Sequence, residues 1–464
     1  MRYGRTATET SQGKGVILSH KLDQILISHT QPDFNDRLKK LCNQRLALGR
    51  IKGYKESEDI ATIIQAVDQK TDEASDAAVS EYTREYDKVD LKPEQFRIKP
   101  EDLKKAYDQI DKDLLVSIKK AIGNVRKYQE QIFIGNKKEN EHPGIKYTPI
   151  KRVGIWIPGA SAPLPSTVIM TAIPAQVAGV EKIVIVSPPR YKQSIHPVTL
   201  AVCYELKIDE VYRAGGVPAV AALASEKGTI PRVDKIVGPG NKHVQAAKKM
   251  VSSDYVAIDS VAGPSEVLII ADDDANPAWV AVDMLSQAEH GEDSTAVVFT
   301  ESQKLADSVI DELEKQLTHL DRAQEAEKSL IKFAGVVVFK DIASIISEAN
   351  NFAAEHLHIQ CGDKSREIAD KIDNAGAIFI GEYSPVAVGD YWAGPSHTLP
   401  TGQTAKFFSA LSANDFVKST SIIEYSREQL EAGADDIIRL AMVEGLDAHA
   451  RSVQIRRGVN YTGQ

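Results

Sequence analysis

From about residue 150 onward, short runs of β-branched residues alternate with alanine-rich stretches that have helical spacing. The run Val153 to Pro158 is typical of a strand, residues 174–180 of a helix, and Lys182 to Val186 of the next strand. Strands that alternate with helices in this way predict a parallel sheet covered on both faces. We therefore expect an α/β fold.

The alternation occurs in two successive blocks. Further strands are predicted near residues 210–212 and 235–237, and then a second series at 267–270, 296–299 and 335–339. Two such blocks predict two incomplete Rossmann-like parallel-sheet domains. We assign residues 51–155 together with 267–411 to a first, discontinuous domain. Residues 156–266 form the second, nucleotide-binding domain.

Both ends of the chain have a different texture. Residues 1–50 are mixed polar, with Pro32 interrupting any long helix, and we predict an N-terminal helical arm there. Residues 57–135 repeat apolar side chains at helical spacing. Residues 412–464 are predicted to form a C-terminal helical tail that contributes to dimerisation, with helix from Ser426 to Ala450.

The charge balance limits the classes of partner. The chain has 56 Lys and Arg against 65 Asp and Glu, a net charge of -9, which argues against nucleic acid. The densest basic run near a motif, Lys248 and Lys249, is interpreted as a solvated helix face. Residues 1–15 lack the apolar core of a secretory signal, and no stretch approaches the ~18 apolar residues of a membrane span. We expect a cytoplasmic protein without a membrane partner.

The three cysteines, Cys42, Cys203 and Cys361, are far apart and form no Cys-x-x-Cys pair. Their spacing argues against a disulfide framework and against a thiolate zinc site, so reduced thiols are expected. None lies in a motif that would activate a nucleophile, which disfavours a thiol-based aldehyde dehydrogenase.

Two segments carry candidate metal ligands. In Ser286 to Gly291, Gln287 and His290 are three residues apart on one face of a helix end, where a carbonyl oxygen and an imidazole can share an ion. The same spacing also fits a polar helix C-terminus closed by Gly291. In the Gly- and Pro-rich segment 389–397, interpreted as a loop, Asp390 is either a hard ligand for a divalent ion or part of an Asx-type turn.

A third segment, Ala354 to His358, offers acid–base chemistry. Glu355 next to His356 supplies a water activator and a general base within one turn. Histidine suits proton transfer because its unperturbed pKa is ~6.5. A polar connection between helix and strand, or a His-x-His metal pair, also fits this pattern.

Turns and the chain end supply the remaining candidates. Residues 238–241, Gly-Pro-Gly-Asn, follow a strand and precede a helix, so their amides are placed to cradle a phosphate, although this is not the dinucleotide fingerprint. Residues 262–266 form a second tight turn that also fits a linker. Glu444 and His449 lie near the C-terminus, where a histidine is more often a surface residue than a ligand.

Taken together, these segments resemble the histidinol dehydrogenase family from about residue 150 to the end. The resemblance is carried by VGIWIPGASAPLPSTVIM, KIVGPGN, AGPSEVL, LSQAEHG, EHL, GDYWAGPSHTLPTG and EGLDAHA, in the family's order. LSQAEHG combined with GDY and EGLDAHA is highly specific. The resemblance implies an NAD-dependent, four-electron oxidation of L-histidinol to L-histidine through histidinaldehyde, a step of histidine biosynthesis.

The resemblance also implies roles for individual residues. It implies a Zn²⁺ site formed by Gln287, His290, Asp390 and His449. His449 would come from the partner subunit, giving an intertwined homodimer with a shared active site. His356 is implied as the general base and Glu355 as the residue that activates water. Substrate contacts are implied for these six residues and for Ser265, His397 and Glu444, and NAD contacts for Trp156, Pro218 and Asn241.

Two departures keep alternatives open. Pro218 stands where family members often carry a glutamine that contacts NAD, and Val386 replaces a common glutamate. A related zinc and NAD dehydrogenase of another small polyol, such as dihydroxypropanesulfonate, is the first alternative. A sulfonate needs a cationic partner, and Glu444 has the wrong charge for one. An inactive zinc-binding dimer is the second alternative, against which the presence of Glu355 and His356 argues.

Overall fold

The structure is a computed structural model that describes residues 22–48, 54–136, 144–159, 163–252 and 255–458. Residues 1–21 and 49–50 of the predicted N-terminal arm lie outside the described residues. The strands are β1 Leu26–Ser28, β2 Ile145–Pro149, β3 Arg152–Trp156, β4 Lys182–Ser187, β5 Glu210–Arg213, β6 Lys235–Val237, β7 Ala257–Ile258, β8 Glu266–Ala271, β9 Thr295–Thr300, β10 Gly335–Val338, β11 His356–Gln360, β12 Ala377–Ile380 and β13 Val417–Ser421. The helices are α1 Phe34–Leu48, α2 Tyr54–Val67, α3 Asp72–Tyr82, α4 Pro100–Gln109, α5 Lys112–Ile132, α6 Pro165–Val177, α7 Pro197–Glu205, α8 Gly216–Ala224, α9 Lys242–Val251, α10 Pro277–Ala288, α11 Gln303–Leu317, α12 Ala323–Phe333, α13 Ile342–Phe352, α14 Ser365–Ala369, α15 Val386–Tyr391, α16 Arg427–Val443 and α17 Asp447–Arg456.

A five-stranded parallel sheet has the strand order β5-β4-β3-β6-β7. Alternate residues of its strands enter different cores. Ile155 and Val237 pack with α6 and α7 on one face, and Val184 and Ile236 pack with α8 and α9 on the other. Burial on both faces explains why these strands read as continuous β-branched runs, and it confirms the predicted parallel sheet.

A six-stranded parallel sheet has the order β1-β10-β9-β8-β11-β12. Val267 and Val298 pack against α10 to α12 on one face, and Leu268 and Phe299 pack against α1 and α13 on the other. Its edge strand β1 comes from the N-terminal region. That region was predicted to be a helical arm, but three of its residues pair with β10, and α1 then packs on the sheet.

The helices before residue 150 pack on the five-stranded sheet. Ile60 of α2 and Val79 of α3 share one core with Val184, and Val125 of α5 shares the other core with Ile155. Both parallel sheets and these helices belong to one compact unit, so the assignment of residues 51–155 to the same domain as 267–411 stays a prediction. The apolar faces of these helices show that they pack on a sheet, but helical periodicity does not specify which one.

The described residues within 135–148 and 418–458 form a separate compact unit. In it, β2 and β13 pair as a two-stranded sheet and α16 packs on α17, with Arg457 contacting Glu431 and Asp435. Ser426 caps α16, which confirms the predicted start of the C-terminal helices. The tail was predicted from residue 412, but Ala413 and Phe416 are buried in the core of the larger unit.

The cysteines agree with the expectation of reduced thiols. Cys42, Cys203 and Cys361 are free, as predicted. Burial raises the pKa of Cys42 to about 11 and of Cys203 and Cys361 to about 12, which keeps these thiols protonated and unreactive. Within the described ranges, every helix is too short or too polar to serve as a membrane span.

Candidate active site

A cavity of about 410 Å³ opens between the two parallel sheets. The five-stranded sheet borders it with the carboxyl ends of β3 and β6, and the six-stranded sheet borders it with the amino ends of β8, β9 and β11. Eight of the predicted site residues line the cavity: Trp156, Asn241, Ser265, His290, Glu355, His356, Asp390 and His397. Segments far apart in the sequence thus converge on one space.

Glu355 and His356 lie where α13 passes into β11. The Oε2 atom of Glu355 accepts a hydrogen bond from the backbone N–H of Glu266 at 2.7 Å. The Nδ1 atom of His356 lies 3.0 Å from the carbonyl oxygen of Glu266 and donates to it. That bond assigns one proton to Nδ1. Nε2 has no hydrogen-bond partner among the described residues, and it becomes a base once its own proton is lost.

The electrostatics of this pair favour proton transfer. Burial raises the pKa of Glu355 to about 8, and the charge of His356 only partly offsets the effect. Burial works to lower the pKa of His356, but Glu355, 3.5 Å from Nδ1, and Asp390, 3.7 Å from Nε2, outweigh it and raise the pKa to about 9. Adjacent groups with strongly shifted pKa values in a cavity are typical of acid–base sites.

Asp390 is surrounded by histidines. Burial works to raise its pKa, but its contact with His356 and the charges of His397 and His290 bring the pKa below its ordinary value. His397 reaches Thr167 through Nε2 at 3.2 Å, and burial lowers its pKa. Asp390 therefore remains an anion that attracts cations.

The segment around Asp390 differs from the predicted loop. Residues 386–391 form the short helix α15, because Val386 packs into the core of the six-stranded sheet. Gly389 allows α15 to approach β12 closely, since an added Cβ would lie 2.6 Å from the Phe379 ring. The glycine in this motif marks a close approach rather than a loop, and the helix turns Asp390 toward His356.

Three of the four predicted metal ligands have properties that suit a cation site. Gln287 is 1% exposed, and both Oε1 and Nε2 lack hydrogen-bond partners among the described residues. Such an unpartnered buried amide is unfavourable unless a ligand occupies it. His290 binds the carbonyl oxygen of Ser286 through Nδ1 at 3.0 Å, which leaves Nε2 free to coordinate. With the Asp390 carboxylate, the N and O donors fit Zn²⁺.

His449 and Glu444 belong to the smaller unit. Glu444 caps α16 at its C-terminus, and His449 lies in the first turn of α17. The part of the chain that the structure describes contains no cluster of three or more His, Cys, Asp or Glu residues arranged for a metal. Of the predicted ligands, the resemblance assigns His449 to the partner subunit, so one chain would bring only His290 and Asp390 of these residue types together, and no such cluster is expected within it.

On the opposite wall, the turn 238–241 connects β6 to α9 as predicted. Gly238 has φ +116°, and an added Cβ would collide with the carbonyl oxygen of Trp156. Asn241 caps α9 by accepting from the N–H groups of His243 and Val244 at 3.1 Å, so the helix N-terminus faces the cavity. Pro218 is buried in α8 and is not among the described residues that line this cavity.

Buried ion pairs behind both walls were missed by sequence reasoning. Lys248, interpreted as part of a solvated face, is fully buried and contacts Asp259 and the carbonyl oxygen of Gly238. Glu266 was noted only as the end of a turn, yet it binds both Glu355 and His356. A lysine in α9 on the face of Val244 and Val251 was the available signal for the first pair.

These features define an α/β enzyme with a buried acid–base pair facing a glycine turn and a helix N-terminus across one cavity. Nothing in this arrangement requires a thiol, and the described residues that line the cavity include no cysteine. Comparison with known proteins identifies the family.

The histidinol dehydrogenase family model matches residues 51–457. The histidinol dehydrogenase of Heliobacterium mobile is 44% identical over 383 residues, which cover 82% of this chain and 89% of the relative. That of Oceanobacillus iheyensis is 43% identical over 411 residues, covering 88% and 94%. The crystal structure of histidinol dehydrogenase from Elizabethkingia anophelis matches with a TM-score of 0.84 and 32% identity, covering 93% of this chain and 98% of that chain. This chain belongs to the histidinol dehydrogenase family, which confirms the resemblance found in its motifs.

Proposed function

We propose that this chain catalyses the NAD-dependent oxidation of L-histidinol to L-histidine. One observation carries the proposal: the buried pair Glu355–His356 presents an unpartnered Nε2 to a cavity whose opposite wall is the turn 238–241. An alcohol placed between them has a base on one side and a space suited to a nicotinamide cofactor on the other. The histidinol dehydrogenase relatives support this substrate.

His356 takes part in both oxidation steps. In the first, Nε2 accepts the hydroxyl proton of the alcohol while the carbon-bound hydrogen leaves with its electron pair as hydride for NAD⁺, giving the aldehyde. In the second, Glu355 accepts a proton from water as the water oxygen bonds to the aldehyde carbon. Protonated His356 returns its proton to the aldehyde oxygen, which gives the hydrate and leaves the imidazole neutral. His356 then accepts the hydroxyl proton of the hydrate as a second hydride leaves, giving the acid. The Glu266 carbonyl keeps the ring oriented throughout.

We propose that Gln287, His290, Asp390 and His449 hold the Zn²⁺ ion. Bound there, the ion supplies a Lewis acid that orients the imidazole and amine of the substrate. The unpartnered Gln287 amide and the anionic Asp390 support this assignment. Ser265, His397 and Glu444 are the proposed additional substrate contacts.

For NAD, we propose that Trp156 provides a stacking surface and that Asn241 and the turn amides provide polar contacts. Gly240 allows this close approach, since an added Cβ would lie 2.6 Å from Val244. Pro218 has no N–H and is buried, so we assign it no hydrogen bond to the cofactor. The three unreactive thiols are in keeping with a reducing cytoplasm, where we place the enzyme.

We propose a homodimer in which the partner subunit's His449 completes each site. The smaller unit exposes Leu440, Val443, Ile423 and Ile455, apolar side chains that a partner chain would cover. Mixing the two inactive variants His356→Ala and His449→Ala tests this. If His449 acts across the dimer, mixed dimers contain one intact site and activity returns. If it acts within its own subunit, both sites stay defective and the mixture remains inactive.

The proposed reaction is tested by counting NADH. Purified, zinc-loaded protein should form two NADH per L-histidinol, and His356→Ala should reduce kcat by roughly 10²–10⁴-fold. His358→Gln is the matched control. His358 is a buried histidine on the same strand, but it contacts the carbonyl oxygen of Gly381 and is not among the described residues that line the cavity. Turnover of dihydroxypropanesulfonate without turnover of histidinol would contradict the proposal.

A further inference from the structure

One guanidinium group connects the N-terminal helix α1 to the catalytic pair. Arg45 lies in the last turn of α1, and its side chain is 1% exposed. It precedes residues 51–457, the range matched by the family model. We propose that Arg45 is a positioning residue that holds Glu355 and His356 in their reactive geometry. This inference rests on the function proposed above.

The first contact of Arg45 fixes the segment that leads into the pair. Its Nη2 atom donates to the carbonyl oxygen of Phe352 at 2.7 Å, and the guanidinium lies 3.6 Å from the centre of the Phe352 ring. Phe352 is the last residue of α13, and Ala353 follows with φ +47°. Arg45 therefore binds the end of α13 immediately before the chain turns into Glu355 and His356.

The second contact fixes the residue that binds the pair. The Nη1 atom of Arg45 lies 3.4 Å from Oε2 of Glu266, and the N–H of Gly402 donates to Oε1 of Glu266 at 3.1 Å. The backbone of Glu266 binds Glu355 through its N–H and His356 through its carbonyl oxygen. The position of the Glu266 side chain thus determines where both catalytic groups find their partners.

Arg45 also balances charge in a crowded anionic region. Glu266 and Glu355 are both buried, and the charge of Glu266 makes Glu355 harder to ionise. Without the guanidinium, the Glu266 carboxylate would have the Gly402 N–H as its remaining described partner and would be repelled by Glu355. Relief of that repulsion requires Glu266 to move or to take up a proton, and either change displaces the backbone groups that orient His356.

A lysine cannot reproduce these contacts. The planar guanidinium stacks on the Phe352 ring, donates to a carbonyl and faces a carboxylate at once, whereas an ammonium group is a single compact charge. Arg45→Lys therefore keeps the positive charge but loses the planar group that makes the three contacts together, so it distinguishes the effect of charge from that of geometry.

The test compares Arg45→Met with Leu41→Ala. Leu41 lies one turn earlier on α1, is buried, and packs against Gly335, so its truncation loosens the same helix without touching Glu266. We expect Arg45→Met to lower kcat by roughly tenfold or more, with both KM values within about twofold. Leu41→Ala should lower the thermal midpoint but keep kcat within about twofold of the original chain. A merely structural role predicts the same kinetic behaviour for both variants.

Two further variants sharpen the result. Adding Glu266→Gln to Arg45→Met removes the unpaired charge and should restore kcat by about threefold or more. Arg45→Lys should lose kcat by about threefold or more, and it decides the question if Arg45→Met does not fold. Three results would each overturn the positioning role. They are an unchanged kcat in Arg45→Lys, equal losses of kcat in Arg45→Met and Leu41→Ala, and no recovery of kcat in the double variant. An original chain that does not oxidise histidinol would instead contradict the proposed function, and this inference with it.

Discussion

The two parallel sheets face the same cavity with opposite ends of their strands. The five-stranded sheet uses carboxyl ends, where Trp156 closes β3 and the turn 238–241 follows β6. This is the edge at which open α/β sheets ordinarily bind ligands. The six-stranded sheet uses amino ends instead, with Ser265 before β8 and His356 as the first residue of β11.

The chemistry of the two edges differs accordingly. The carboxyl edge, which is the edge of the five-stranded sheet at the cavity, offers backbone amides, glycines and the Trp156 ring, which suit the binding of a ligand. The amino edge offers titratable side chains, each held by a backbone group of a neighbouring strand. Each edge is supported by a buried ion pair. Lys248–Asp259 contacts the turn 238–241, and Arg45–Glu266 lies next to Glu355 and His356. The proposed cofactor binding and the proposed proton transfer therefore depend on separate buried ion pairs.

Breaking the support of the carboxyl edge should have the largest effect on stability. Lys248→Met leaves the Asp259 carboxylate buried without its cation, and we expect a loss of about 3–5 kcal/mol in the free energy of unfolding. The turn should also loosen, because Lys248 donates to the Gly238 carbonyl at 2.9 Å and Asp259 accepts from the Gly238 N–H at 2.7 Å. Urea unfolding measures the first effect, and the KM for NAD measures the second.

Lys249→Met is the matched control for that prediction. Lys249 is exposed on the same helix, and its replacement should change stability by less than about 0.5 kcal/mol. The double variant Lys248→Met with Asp259→Asn should recover much of the loss, since no buried charge is left unpaired. Similar unfolding curves for Lys248→Met and Lys249→Met would show that the buried pair does not support the turn.

At the amino edge, Glu355→Gln should change kcat rather than NAD binding. The amide oxygen can still accept from Glu266, so the geometry is kept while the proton acceptor is lost. We expect kcat to fall by about 100-fold, equivalent to about 2.7 kcal/mol, with the KM for NAD within about twofold. Steady-state kinetics measure both. A variant that raised the KM for NAD and kept kcat would break the proposed separation of the two edges.

The sequence predicts elements whose signal is repeated along the chain. The alternation of runs such as Val153 to Pro158 with alanine-rich helices predicted both sheets, and the Gly-Pro-Gly-Asn turn was placed correctly between strand and helix. The short strand β1 was missed because its three residues are too few to show a period of two. The sheet that the helices before residue 150 cover was not predicted, because an amphipathic helix does not encode the sheet on which it packs.

The site residues, like the secondary-structure elements, were predicted only in part. Eight of the predicted residues line one cavity, and the family resemblance of their motifs had implied that they share a site. Arg45, Glu266 and Lys248 were not predicted, because a buried charge is recognised only when its partner, distant in sequence, is known. Asp390 was expected in a loop because Gly389 looked like a turn residue, whereas the structure uses that glycine for close packing on Phe379.

The metal ligands can be tested separately from turnover. Gln287→Leu should weaken zinc binding by about tenfold, measured as metal retained after dialysis against a competing chelator. Gln245→Leu is a matched control, because Gln245 is also 1% exposed with both side-chain polar atoms unpartnered, but it lies in α9 rather than one turn from His290. Equal zinc retention in the two variants would remove Gln287 from the proposed ligand set.

The smallest effect is expected for Trp156→Phe at the carboxyl edge. The Trp156 ring lines the cavity near Gly240, but its Nε1 is buried without a hydrogen-bond partner among the described residues. Losing that N–H therefore removes no observed bond, and the phenyl ring keeps an aromatic face for stacking. We expect the KM for NAD to change by less than about threefold, and Trp156→Ala to raise it further because the face itself is lost. If Trp156→Phe raised KM as much as Trp156→Ala, the indole N–H would be a recognition group. The carboxyl edge would then recognise its ligand through a side-chain donor as well as through backbone and ring surfaces.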